Sequence, residues 1–169
     1  MRKLKQFFKN IWYFRKALWH FRWWDYHYTL EMMKTSLTIM ANNLETKGLE
    51  VDGPRLKKVA KMRRAVEIIN NMNDLTHIEM AERELGPLII RDWEFVPEGV
   101  DSYSLKDNLN KKEKDHNRKV YNRARQIEQE EWKELWYIFE GQQHEKYRKM
   151  KDVEWDDWFD GSGMQTWWD

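Results

Sequence analysis

The stretch WWDYHYTLEMMKTSLTIMANNLETKG, residues 23–48, settles what kind of protein this chain makes. Asp25 is placed to accept the backbone N–H groups that the first turn of a helix leaves unpaired. After it, Tyr26, Leu30, Met33, Leu37, Met40 and Leu44 recur at steps of three and four, which lines them along one helical face. Gly48 is a natural stop. A helix that is apolar along one side needs others to pack against, and the flanking sequence supplies them.

Upstream, Leu4, Phe7, Phe8, Ile11, Phe14, Leu18 and Phe21 repeat at the same spacing, with Trp12 and Trp19 as a second stripe, so residues 3–22 predict an amphipathic helix. Its apolar face is wide for a terminal helix and calls for a partner. Trp23-Trp24-Asp25 is then a corner between helices. Downstream, Pro54 opens a third helix, with Leu56, Val59, Met62 or Arg63, Val66 and Ile69 inward. Six cations, Arg55, Lys57, Lys58, Lys61, Arg63 and Arg64, cover much of its remainder. Asp74 is expected to cap a short fourth helix that ends at Gly86-Pro87.

Residues 88–105 lose the helical period, and Val96-Pro97-Glu98-Gly99 reads as a turn. Ile89-Ile90 with Trp93–Val96 form the candidate strand pair. Residues 106–125 are highly charged, an exposed lead-in to a helix with Tyr121, Ala124, Ile127, Glu131, Leu135 and Ile138 inward. A further helix is expected over about 142–159. The expected fold class is therefore mostly α, a helical bundle with at most one short β-hairpin. Residues 1–169 are expected to form a single helical domain with a tryptophan-rich C-terminal segment packed on the N-terminal helices, across subunits of a homo-oligomer.

Composition excludes several chemistries. The 169 residues include no cysteine, which rules out disulfides, thiolate zinc sites, iron–sulfur clusters and cysteine nucleophiles. The net charge of +1 conceals a polarity. Residues 1–24 carry Arg2, Lys3, Lys5, Lys9, Arg15, Lys16 and Arg22 with no acid, whereas 152–169 carry Asp152, Glu154, Asp156, Asp157, Asp160 and Asp169 with no base. These ends either attract each other or are solvated separately. Charges break up the first 24 residues before a signal-type apolar run forms, and no run approaches the roughly 18 uncharged residues of a membrane span. A soluble protein is expected.

No His-Glu-x-x-His, glycine-rich phosphate loop or Gly-x-Ser-x-Gly elbow occurs, and Asp156-Asp157 reads as a solvated surface. No catalytic residue, cofactor or metal is assigned, and no enzyme is expected. Two features remain. Lys58, Lys61 and Arg64 matter most on the third helix, where positions 57, 61 and 64, or 58 and 61, share one side, as a solvated face or as an anion site. Most of the 21–30 aromatic cluster must be core, which leaves Trp24 and Tyr28 as rings near a pocket, and a ring there can stack a base. Duplex DNA is a poor partner at +1 net charge, whereas a cationic helix carrying Phe and Trp also suits a membrane interface.

The order Trp24-Asp25-Tyr26-His27-Tyr28, Leu30-Glu31-Met32-Met33-Lys34, Arg63–Glu67, Phe95-Val96-Pro97 and a terminal Trp167-Trp168-Asp169 resembles a widespread group of small tailed-phage proteins. The charged 106–160 region departs from that pattern. Phage proteins similar in size and style include sponges that sequester the cyclic nucleotide signals of CBASS-type bacterial defence. The resemblance implies noncovalent capture of a cyclic oligonucleotide in the cytoplasm of an infected bacterial host. Trp24 and Tyr28 would stack bases, Lys58, Lys61 and Arg64 would meet phosphates, and Trp168 would close the site. The alternative is a structural or host-interaction protein that docks on a membrane or a partner through its basic aromatic N-terminal helix.

Overall fold

The computed structural model describes residues 2–99, 102–141 and 159–167. Its helices are α1 (Arg2–His20), α2 (Tyr26–Lys47), α3 (Asp52–Asp74), α4 (His77–Leu85) and α5 (Lys111–Glu140), with one antiparallel hairpin, β1 (Trp93–Pro97) and β2 (Tyr103–Asp107). Among the described residues the fold is mostly α with a single short hairpin, as the periodicities predict. The chain forms two compact units, residues 1–74 with 131–169, and residues 75–130.

In the first unit, Asp25 caps α2 by accepting the His27 N–H at 3.0 Å. Leu30, Leu37, Ala41 and Leu44 of α2 meet Val59, Met62, Ala65, Ile68, Ile69 and Met72 of α3, together with Leu135 and Ile138 of α5. Two expected inner positions fall outside this core: Tyr26 is exposed, and Met40 yields to the small Ala41, which lets the helices approach closely. Gly48 ends α2 at an ordinary negative φ. It is needed for space, since a Cβ there would lie 2.5 Å from the Leu44 carbonyl and 2.8 Å from Arg55 Cδ.

Two boundaries and one inner position differ from expectation. Helix α3 starts at Asp52, two residues before Pro54, and Asp74 is its last residue instead of a cap for α4. Leu75, with φ 54°, makes the break. Leu56 is exposed, while Lys58 is buried in its place.

The second unit packs Ala81 of α4 against Val120, Ala124 and Ile127 of α5. Val120 takes the inner position expected for Tyr121, which is exposed. The expected strand partner is also corrected. β1 pairs with 103–107, Phe95 opposite Leu105, and not with Ile89-Ile90. Ile89 is instead held by the Asn117 side chain, which accepts its N–H at 2.9 Å and donates to its carbonyl at 2.8 Å. Residues 106–125 contain the end of β2 and the start of one uninterrupted α5. The helix expected over about 142–159 lies outside the described residues except for Phe159, which is buried and non-helical.

From Phe159 the described chain packs within the first unit. Gly161, at φ 90°, lies so close to α3 that a Cβ would fall 2.3 Å from the Lys57 carbonyl group. Trp167 is buried, donates its indole N–H to the Gly161 carbonyl at 2.8 Å, and meets Phe139 edge-on with centroids 6.2 Å apart. One tryptophan of the terminal pair is thus core of its own chain.

Candidate functional site: an outward-facing basic aromatic helix

Helix α1 carries its apolar residues on the side that faces solvent. Successive helical residues turn by about 100°. That rotation gathers Leu4, Phe7, Phe8, Ile11, Trp12, Leu18 and Trp19 into one stripe, and every one of them is exposed, from 42% at Ile11 to 79% at Trp19. Ala17, the only buried residue of α1, lies off that stripe, and α1 rests against α2. Phe14 is half-buried. The helix therefore attaches by its small-residue side and leaves its large rings uncovered.

Cations border the stripe. Lys5, Lys9 and Lys16 lie along one flank, at steps of four and seven, and Lys3 on the other. Arg15 sits within the stripe and lies over the Trp12 ring, 3.8 Å from its centroid, while donating to the Trp12 carbonyl at 2.6 Å. Cation–π contact of this kind keeps a charge on an aromatic surface with little desolvation. The helix has no acidic residue. The corner continues the aromatic surface: Trp23 and Trp24 meet edge-on, centroids 5.7 Å apart, and are 83% and 67% exposed.

The residues assigned from sequence do not converge. Trp24 is exposed on the corner and Tyr28 is half-buried in the first turn of α2. Lys58 is buried and holds both Glu50 oxygens at 2.7 and 2.8 Å. Lys61 pairs with Asp160 at 3.1 Å and lies over the Tyr137 ring. Arg64 makes a two-pronged contact to Glu134 at 2.7 and 2.9 Å and also reaches Glu67 at 3.0 Å. Its pKa is raised, chiefly by the Glu134 hydrogen bond against the opposing effect of burial, and the same bond holds the Glu134 carboxyl below its usual value. Each of these three cations thus has an internal carboxylate partner. Trp168 lies outside the described residues.

An apolar cavity of about 320 Å³, not foreshadowed in the sequence, lies between α2 and the end of α5. Leu30 and Leu135 form its floor, and Tyr26, Trp132, Trp136 and Phe139 surround it with Thr29 and Met33. No local signal in the chain joins residues 26–33 to 132–139, because only the packing of segments distant in sequence brings them together. No helix of the described residues is long and apolar enough to cross a membrane. Comparison with protein-family models, curated proteins and solved structures finds no match.

Proposed function

We propose that this is a noncatalytic docking protein that settles on an anionic membrane surface through α1. One observation carries the proposal: a stripe of exposed Leu, Ile, Phe and Trp side chains bordered by lysines on a helix without acids. Exposed rings enter the zone between headgroups and acyl chains, and bordering cations meet lipid phosphates. Each Lys or Arg near an anionic leaflet contributes about 1 kcal/mol. The length and charge of α1 suit a helix lying in the surface plane. Cosedimentation with phosphatidylcholine vesicles, with and without phosphatidylglycerol, tests it. Binding to the mixed vesicles that weakens with added salt is expected. Equal failure to bind either vesicle refutes the proposal.

Sequestration of a cyclic oligonucleotide by a phage anti-defence protein is the second proposal, favoured by the four rings around the cavity beside Leu30. Bases would stack there, while Lys58, Lys61 and Arg64 would have to leave their carboxylates to meet phosphates. Thermal-shift titration with cyclic di- and trinucleotides decides it: ligand at about 100 times Kd stabilises by about 2.7 kcal/mol, and unchanged curves throughout count against it.

A further inference from the structure

The hairpin of the second unit sorts its side chains by chemistry. Trp93, Phe95 and Pro97 of β1 alternate onto the same face as Tyr103, Leu105 and Asp107 of β2, because cross-strand partners share a face. The other face holds Glu94, Val96, Ser104 and Lys106, where Lys106 pairs with Glu94 at 3.3 Å and Val96 and Ser104 are half-buried. The aromatic face is open: Phe95 is 73% exposed, Tyr103 68%, Trp93 59% and Leu105 49%. A two-stranded hairpin is marginal in water unless another layer covers it. Here the large side chains lie on the uncovered face.

We infer that this face is an interface between two copies of the chain, packed hairpin to hairpin about a two-fold axis. Area supports a second copy. Rings of roughly 150–250 Å² each, at these exposures and with Leu105 added, leave about 500 Å² per hairpin. A two-fold pair then removes about 1,000 Å² from water, the lower bound of a specific interface. Charge supports it too. On the aromatic face the one charged residue is Asp107, and Lys114 neutralises it at 3.1 Å. An antiparallel two-fold places the turns with Glu98 at opposite ends of the contact, so like charges stay apart. An anionic bilayer is a poor occupant for this surface, because residues 92–107 hold Asp92, Glu94, Glu98, Asp101 and Asp107 against Lys106 alone.

Because the chain has no cysteine, introduced cysteines report on the contact without background. The full-length Phe95→Cys variant should form an intermolecular disulfide under mild oxidation, whereas Glu94→Cys, on the other face of the same strand, should remain uncrosslinked. In sedimentation velocity, the mass of the wild-type chain should rise from 21.0 kDa toward twice that with concentration, and the Phe95→Ser/Tyr103→Ser variant should need at least tenfold more protein to do so. The Glu94→Ser variant controls for damage to the hairpin and should associate as the wild type does. A wild-type mass that stays at 21.0 kDa at all concentrations overturns the inference, as does equal crosslinking of the two cysteine variants. Loss of vesicle binding in the Phe95→Ser/Tyr103→Ser variant with no change in mass overturns it in favour of a membrane contact.

Discussion

Replacing Trp19 by alanine separates insertion of α1 from attraction by charge alone. Trp19 is 79% exposed, the most open ring of the stripe. A tryptophan carries up to about 250 Å², so roughly 200 Å² of this ring is available for burial. Complete transfer from water, at about 25 cal/mol per Å², is then about 5 kcal/mol. A helix lying in the interface buries only part of each ring, so after allowing for the alanine methyl about 2 kcal/mol remains. That corresponds to a loss of about 30-fold in partitioning onto vesicles containing phosphatidylglycerol. Trp12→Ala should cost less, because Trp12 is 63% exposed and Arg15 already covers one of its faces. Tyr13→Ala, away from the stripe, should cost little. Because Trp19 is open to solvent in the folded protein, its removal should alter stability by less than about 0.5 kcal/mol. Vesicle cosedimentation and a thermal melt on each variant provide both readouts. Insertion of the stripe is ruled out if the folded Trp19→Ala variant binds as the wild type does, or if Tyr13→Ala loses as much as Trp19→Ala.

Four further outcomes are expected. Changing Lys5, Lys9 and Lys16 together to glutamine should remove about 3 kcal/mol of attraction to an anionic surface at low salt, with the difference from wild type shrinking as salt rises in a cosedimentation series. Ile138→Ala should destabilise by about 2–5 kcal/mol, since it empties a fully buried core position, which denaturant titration measures. Gly161→Ala should destabilise more than an exposed Gly→Ala change such as Gly53→Ala, because φ is +90° and the added Cβ meets α3; paired melts of the two variants check this. Acid should loosen the first unit. The Glu134 carboxyl is lowered chiefly by its Arg64 hydrogen bond. Asp160 is pushed up by burial, but bonds from Ser162 and Lys61 outweigh this and leave it lowered. Depressed folded values mean that this stability is fully present above the unfolded carboxylate range of about 3.9–4.3 and is lost as pH falls through the lower folded values. Melting temperature followed down through pH 4 should therefore decline less steeply in an Arg64→Met variant.

Helical periodicity was legible wherever one chain segment decided the outcome. The Asp25 cap and the burial of Leu30, Leu37 and Leu44 follow from spacing within α2, because a helix fixes which side chains share a face. The stripe of α1 was equally visible, and so was the lack of acids beside it. The strand pair was half legible: Trp93–Val96 alternates as a strand should, but its partner was misplaced because pairing depends on which distant segment returns across the turn. Similarly, the spacing of Lys58, Lys61 and Arg64 put them on one helix but could not reveal Glu50, Asp160 and Glu134, which reach them from other segments.

Composition and local repeat alone make the chain helical, thiol-free and marked by a basic aromatic N-terminal segment. Which apolar faces were covered depended on how the elements packed in three dimensions. That packing buried Trp167 among α2, α3 and α5 and left Trp19 in water. The two tryptophans have the same intrinsic affinity for a core. Their burial differs because it depends on the elements that pack around each ring, which no stretch of sequence contains.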